Sequence, residues 1–176
     1  MSLPPPSKVQ KLQEALHAKA KGSPGYRFYA LYDKVYRSDV LGWAYVRCRA
    51  NDGAPGVDHQ TFEDIEAYGL DRWLDELVAD LKAKTYRPQP VRRVYIPKPD
   101  GKRRPLGIGS IRDRVVQMAV VLVLGPIFEA DLEPEQYAYR ANRSALDAVR
   151  HVHGLVSAGH TEVVDADLSS YFEMAS

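Results

Sequence analysis

Apolar residues recur at helical spacing over the first half of the chain, which predicts three helices there. The first runs from Lys8 to Lys21, and a GSPG break separates it from a second that runs from Tyr26 to about Ala50. A loop rich in turn formers, NDGAPGV, precedes a third helix over residues 58–84, which Gly69 interrupts. We expect the apolar stripes of these helices to pack against the rest of the domain rather than to bind a partner.

The hydrophobic period changes to two after residue 90, which indicates a strand over Val91–Pro97. Asp100 and Gly101 form a strong hairpin signal, and the extended segment RPLGIG after them reads as the return strand. Farther along, a long apolar helix is predicted over residues 111–128. The middle of the chain is therefore a basic hairpin followed by a buried helix.

The last part of the chain predicts one more helix and one more strand. Ser144 has the character of an N-cap, with Asp147 three residues on, and the helix runs from about Ala145 to Val156. The segment TEVVDADL, residues 161–168, reads as a buried strand. Helices, one hairpin and a late strand together predict an α+β fold.

The composition is that of a globular protein: 176 residues, 45 % of them hydrophobic and 27 % charged. The single cysteine, Cys48, excludes a disulfide within the chain and a four-cysteine zinc site. We find no apolar run of the roughly 20 residues that span a bilayer, and no signal peptide in MSLPPPSKVQ. We therefore expect a cytoplasmic, reducing setting and no membrane.

The charge is unevenly distributed, although the net charge is only +1. Residues 84–117 contain ten basic residues against Asp100 and Asp113, a net charge of +8, which leaves −7 for the remainder. This asymmetry indicates a face that binds a polyanion. If the polyanion is RNA, we expect Arg92, Arg93 and Arg103 to contact it. A solvated charged surface is the alternative.

Two groups of residues suggest phosphate chemistry. Asp165 and Asp167 lie on the same face of the predicted last strand, where they suit either a divalent metal or the cap of a following helix. Lys98 and Arg104 flank the predicted hairpin turn, where their side chains can converge on one anion such as a triphosphate. Unliganded surface charge remains the alternative for this second pair.

Five segments of the chain occur in an order and at spacings that resemble one known family. They are GAPGVD at 53–58, IPKPDGKRRPLGI at 96–108, DRVVQ at 113–117, YAYRANRSALDAV at 137–149 and VDADLSSYFE at 164–173. The chain resembles the amino-terminal part of bacterial group II intron-type reverse transcriptases, which are retron- and maturase-like proteins. The resemblance implies a helical extension over 1–50, a helix-rich fingers region with the basic hairpin over 51–160, and the start of a polymerase palm over 161–176.

The resemblance also implies residue roles. Asp167 would be a catalytic carboxylate that binds Mg²⁺, and the backbone carbonyl of Leu168 would be a further ligand. Phe172 would lie under the sugar of the incoming dNTP, where a bulky ring disfavours a 2′-hydroxyl. Lys98 and Arg104 would hold the triphosphate. RNA-template or nucleotide contacts would come in addition from Arg112, Arg114, Arg140 and Arg143.

The family's second metal-binding pair, an aromatic-Ala-Asp-Asp turn, does not occur in these 176 residues. Two-metal catalysis needs carboxylates from both motifs, so we expect a polymerase fragment that binds an intron or template RNA, an RNA/DNA duplex and dNTP but is inactive alone. A homodimer or a separate chain that supplies the missing palm are both open. One alternative is a non-catalytic RNA-binding module. Another is a small metal-dependent nuclease that uses Asp165, Asp167 and the histidines His151 and His153.

Overall fold

The computed structural model describes residues 5–97, 99 and 101–166, and it is α+β as predicted. The chain divides into two compact units with a boundary between Asp131 and Leu132. The elements are α1 (Ser7–Gly22), α2 (Tyr32–Val35), α3 (Ser38–Asn51), α4 (Phe62–Tyr68), α5 (Leu70–Ala83), β1 (Arg92–Pro97), β2 (Arg103–Ile108), α6 (Ile111–Glu129) and α7 (Ala145–Ser157).

The core of the first unit is built around α6. This helix contacts α1, α2 and α3, which explains why its sequence is apolar on most sides. Leu41 of α3, Leu77 of α5 and Val115 and Val123 of α6 are fully buried in this core, together with Val9 of α1. The helices before residue 50 therefore share one hydrophobic core with α6. The boundaries expected from the resemblance, at residues 50 and 160, stay a prediction.

A proline inside α6 gives α1 a specific partner. Pro126 has no backbone N–H, so the carbonyl of Leu122 one turn earlier lacks its usual donor within the helix. The side-chain amide of Gln13 supplies one, donating to the Leu122 carbonyl oxygen at 3.0 Å. A polar residue on α1 thereby satisfies the acceptor that the proline leaves free.

Two further α1 side chains continue this pattern at intervals of four residues. The Nδ1 of His17 lies 3.1 Å from the carbonyl oxygen of Pro126, and Lys21 Nζ donates to the carbonyl of Ala130 at 3.2 Å. Pro126 is in the last turn of α6 and Ala130 is its C-cap, a region where backbone acceptors have no partner in the helix. With Gln13, they form a polar ladder that fixes how α1 lies along α6.

The prediction of one helix over Tyr26–Ala50 is wrong. The chain is not helical from residue 26 to 31, and Arg37 is extended (φ −64°, ψ 134°) between α2 and α3. The guanidinium of Arg37 pairs with the carboxylate of Asp39 at 2.6 and 2.9 Å. Residues two apart do not face each other on a helix, so this ion pair favours the break, which an apolar stripe does not reveal.

The predicted third helix is two helices, and it starts later than expected. Gly69 separates α4 from α5 with a φ of +107°, as its position predicts. The start moves from residue 58 to Phe62 because Thr61 and Asp64 form a reciprocal capping box.

The hairpin is confirmed. β1 and β2 pair antiparallel, with Arg92 opposite Ile108 and Ile96 opposite Arg104. The two strands form the one sheet found among the described residues. Apart from Arg92 and Ile108, which are half-buried, the residues of both strands are exposed, so the hairpin projects from the helical core.

In the second unit the helix prediction holds and the strand prediction does not. Ser144 and Asp147 form the expected capping box at the start of α7. Residues 161–166 are not a strand, and Val163 and Val164 are 83 % and 93 % exposed, because this segment has no strand beside it among the described residues with which to pair. Asp165 is exposed too, while residues 167 and 168 lie outside the described part.

Candidate nucleic-acid interface

The start of α6 is held by a tightly packed loop. A Cβ placed on Gly56, in the GAPGVD segment, would lie 2.6 Å from the backbone nitrogen of Ser110 and 2.7 Å from its Cα. Only glycine allows this approach, since real side chains do not come so close to a backbone. Ser110 is itself buried and accepts from the backbone N–H of Asp113, capping α6. We call Gly56, Tyr86, Ser110, Asp113 and Arg114 the α6 cap cluster.

Asp113 is a buried carboxylate with two donors. The hydroxyl of Tyr86 donates to its Oδ1, and the backbone N–H of Gln89 donates to its Oδ2 at 3.1 Å. Burial and this hydrogen bond raise the pKa of Tyr86 above its usual value. The carboxylate thus ties α6 to the segment that leads into β1, and the hairpin is anchored at its base.

Arg114, a predicted RNA-binding residue, is engaged within the protein. Its guanidinium donates to the carbonyls of Asp52 and Ala54, both at 3.3 Å, and lies 5.5 Å from the ring centroid of Phe62. These contacts hold the loop that carries Gly56. A structural role therefore accounts for this arginine without a nucleic acid.

Three more of the predicted arginines also have partners inside the chain. Arg112 forms an ion pair with Asp80 of α5. In the second unit, Arg140 donates to the carbonyls of Glu133 and Gln136 at 2.6 and 3.0 Å. The guanidinium of Arg143 lies 5.3 Å from the ring centroid of Tyr137. The guanidinium groups of these three arginines therefore contact groups of the protein itself.

The register of the hairpin divides its side chains between two faces. Since alternate residues share a face and paired residues point the same way, one face carries Arg92, Val94, Ile96, Arg104, Leu106 and Ile108. The other face carries Arg93, Tyr95, Pro97, Arg103, Pro105 and Gly107. We call these the apolar face and the arginine–tyrosine face. Each face carries two arginines, and the faces differ in their other side chains, which are aliphatic on one face and tyrosine, proline and glycine on the other.

The exposed arginines of the hairpin differ from those of α6. Arg93, Arg103 and Arg104 are exposed, and their side chains make no hydrogen bond or ion pair in the part of the chain that the structure describes. Arg92 is half-buried, and its Nε has no partner among the described residues, which is also true of the Nε of Arg112 and Arg114. Because β1 and β2 contain four arginines and no acidic residue, their surface suits a polyanion.

Four predicted site residues, Lys98, Asp167, Leu168 and Phe172, lie outside the described residues. Within the described ranges no group of three His, Cys, Asp or Glu side chains is placed to hold a metal ion. The Mg²⁺ site thus stays a prediction from the sequence. His151, considered for a nuclease site, instead hydrogen-bonds the Tyr137 hydroxyl through Nδ1 at 2.8 Å. No helix among residues 5–97 and 101–166 is long and apolar enough to span a membrane.

Sequence reasoning did not find the α6 cap cluster or Tyr95. Gly56 and Asp113 were noticed only as parts of motifs, and Tyr86 carried no local signal at all. Tyr95 had one available signal, since the alternation of VRRVYIP already places it on the same strand face as Arg93.

The sequence of this chain is similar to those of several known proteins. No protein-family model matches the chain. It is 34 % identical over 128 residues to the group II intron-encoded protein LtrA of Lactococcus lactis subsp. cremoris, a match that covers 71 % of this chain and 21 % of LtrA. It is 29 % identical over 140 residues to the putative COX1/OXI3 intron 1 protein of Saccharomyces cerevisiae, covering 78 % of this chain and 16 % of that protein.

A third relative is more similar. The chain is 37 % identical over 171 residues to protein YkfC of Escherichia coli K12, across 94 % of this chain and 45 % of YkfC. The chain spans less than half the length of each of these relatives. The resemblance expected from the five motifs is confirmed: this is a group II intron-type, reverse-transcriptase-related protein.

Proposed function

We propose that this chain is the RNA-binding part of an RNA-directed DNA polymerase of the group II intron type, and that it grips RNA with the hairpin. The observation that carries the proposal is the contrast among its arginines. Those of α6 and the second unit are engaged within the protein, whereas Arg93, Arg103 and Arg104 are exposed and unpaired among the described residues. Exposed arginines on a projecting hairpin suit contacts to phosphates.

The nucleotide would bind at the hairpin tip, by analogy with the family. Arg104 follows Arg103, the first residue of β2, and lies on the apolar face, opposite Ile96. With Lys98 it would hold the triphosphate of a dNTP, so nucleotide and RNA phosphates would meet different arginines. Asp167 and the carbonyl of Leu168 would hold Mg²⁺, which would offset the charge on the phosphates, and Phe172 would contact the sugar.

An experiment on the arginine–tyrosine face tests RNA binding. The variant Arg93→Glu/Arg103→Glu should bind a structured RNA at least tenfold more weakly, with a shallower dependence of log K on log salt, because fewer counterions are released. Fluorescence anisotropy at several salt concentrations measures both quantities. The control Lys11→Glu/Arg27→Glu makes the same charge change at exposed positions outside the hairpin. Equal losses in the two variants would leave only a net-charge effect and contradict the proposal.

A second experiment concerns catalysis. We propose that these 176 residues, tested alone, do not extend a primer, since their sequence has no second carboxylate pair to complete a two-metal site. Primer extension with an RNA template and Mg²⁺ decides it, and extension that Asp167→Ala abolishes would contradict the proposal. A separate palm chain that carries the second carboxylate pair would restore extension when added, whereas a second copy of this chain carries no such pair. A non-catalytic RNA-binding module is the outcome if the palm chain does not restore extension, and the cytoplasm is the setting we propose for both functions.

A further inference from the structure

We propose that Tyr95 is a stacking platform for an unpaired RNA base, with Arg93 and Arg103 contacting the phosphates on either side of that base. This inference rests on the proposed function and deepens it by naming single-stranded RNA as the ligand of the arginine–tyrosine face. Tyr95 is 53 % exposed and lies in the middle of β1. A large aromatic ring exposed on a projecting hairpin has little to gain from the protein itself.

The neighbours of Tyr95 leave space beside its ring. Directly across the hairpin from it lies Pro105, and across from Arg93 lies Gly107, which has no side chain. A Cβ on Gly107 would lie 3.1 Å from a methyl group of Val91, so the short side chain of Val91 covers that position. The β2 residues beside the tyrosine on this face, Pro105 and Gly107, therefore have short side chains or none, and a flat base can approach the ring from that side.

The charges flank the ring along the strand. Arg93 lies two residues before Tyr95 on the same face, about 7 Å away at the usual rise of a strand. Arg103 lies opposite Pro97, which is two residues beyond Tyr95 on that face. The ring thus lies between two guanidinium groups, the combination of stacking surface and cationic groove that binds single strands without sequence preference.

The geometry selects unpaired over paired RNA. In a duplex the base faces are covered by neighbouring base pairs, and a protein meets mainly phosphates and 2′-hydroxyls. Arg93 and Arg103 can contact phosphates of either form, whereas Tyr95 gains only where a base is free to stack. Removing the ring should therefore change the preference between RNA forms more than the overall attraction to phosphate.

The test compares two RNA strands of equal length and charge, one with uracil bases and one in which the central nucleotides are abasic. The 176-residue chain should bind the uracil strand about tenfold more tightly than the abasic strand, the size expected for one stacked base. Tyr95→Ala should abolish this ratio and leave binding to the abasic strand unchanged. Tyr95→Phe, which keeps the ring, should retain the ratio. Tyr29→Ala is the matched control, because Tyr29 is 86 % exposed outside the hairpin.

The outcomes separate this inference from the proposed function. If Tyr95→Ala keeps the wild-type ratio while both strands still bind through Arg93 and Arg103, the stacking role is overturned and RNA binding by the hairpin stands. If neither strand binds measurably to the wild-type chain while the structured RNA does, the stacking role fails and RNA binding by the hairpin stands. If the structured RNA does not bind either, both proposals fail. A loss of the ratio in Tyr29→Ala as well would assign the preference to another part of the protein and overturn the role of Tyr95. Circular dichroism confirms that each variant keeps its helices.

Discussion

The α6 cap cluster and the hairpin use the same kind of residue for opposite purposes. The hairpin and every member of the α6 cap cluster except Gly56 lie within the basic stretch of residues 84–117. In the α6 cap cluster Arg114 donates to the backbone carbonyls of Asp52 and Ala54 and stacks on Phe62. On the arginine–tyrosine face Arg93 and Arg103 have no such partners among the described residues.

The comparison teaches that local charge density does not locate a binding surface by itself. An arginine surrounded by backbone acceptors and a ring is part of the fold, and its loss lowers stability. An arginine on an isolated two-stranded hairpin contributes little to folding and is free to bind a ligand. The two regions should therefore respond differently to substitution, in stability for the first and in RNA affinity for the second.

The largest effect is expected at Gly56. The change Gly56→Ala forces a Cβ against the backbone of Ser110 and should lower the free energy of unfolding by about 3 kcal/mol. Urea denaturation followed by circular dichroism measures it. Gly42→Ala in α3 is the control, since a Cβ there meets nothing within 4 Å and should raise helix stability by up to about 1 kcal/mol. Equal stability of the two variants would disprove the close packing described for the α6 cap cluster.

Next comes the hydrogen bond from Tyr86 to Asp113. Tyr86→Phe removes the donor from a buried carboxylate and should cost about 2 kcal/mol near neutral pH. Because the folded protein raises the pKa of Tyr86, the unfolded chain loses this proton first as pH rises past about 10. The stabilisation is therefore complete below pH about 10 and declines above it.

Denaturation of wild type and Tyr86→Phe at pH 7 and above pH 10 measures this pH dependence. The difference in their free energies of unfolding should shrink at the higher pH. Tyr29→Phe, at an exposed position, should show no such difference at either pH. A gap between wild type and Tyr86→Phe that widens with pH would have the wrong sign for a raised pKa.

A smaller effect is expected at Arg114. Arg114 is half-buried, and Arg114→Ala removes its two hydrogen bonds to loop carbonyls. The substitution should lower the free energy of unfolding by about 1 kcal/mol. Arg114→Lys keeps the charge but not the paired donors, so it should recover little of the loss. If lysine restored full stability, charge alone would explain Arg114 and the contrast with the hairpin would weaken.

The smallest effect on stability is expected on the hairpin itself. Arg93→Ala and Arg103→Ala should each change the free energy of unfolding by less than about 0.5 kcal/mol, because both side chains are exposed. Their effect should appear in RNA binding. Each substitution should reduce the slope of log K against log salt by about the amount that one phosphate contact contributes, or by less. A stability loss as large as that of Arg114→Ala would show that these arginines belong to the fold after all.

The elements that sequence predicted correctly carry their own local signals. Alternating residues around Asp100-Gly101 predicted the hairpin, and the pairing of Ser144 with Asp147 predicted the start of α7. The break at Arg37 was missed because it depends on an ion pair that only a non-helical backbone allows. The strand over 161–168 was predicted from a short apolar run, although a strand also needs a neighbouring strand with which to pair.

In the candidate site, too, sequence predicted what has a local signal and missed what depends on distant contacts. Arg92, Arg93 and Arg103 were predicted to bind RNA and Arg104 to hold a triphosphate; Arg92 is half-buried and the other three are exposed, and these roles stay predictions. Sequence could not separate them from Arg112 and Arg114, because the partners of those residues come from distant parts of the chain. Pairing across such distances is set by tertiary packing, which no window of local residues encodes.

The polar ladder between α1 and α6 makes the amino-terminal helix sensitive to rotational phase. Gln13, His17 and Lys21 recur every four residues and meet carbonyls that also recur every four. One residue inserted into α1 before Gln13 leaves the ladder intact, but one inserted just after Gln13 turns the following side chains by about 100°. His17 and Lys21 would then lose their acceptors together, whereas four inserted residues would nearly restore the phase. Between Gln13 and Lys21, the rotational phase of α1 is therefore kept by length changes of a whole turn and lost by changes of a single residue.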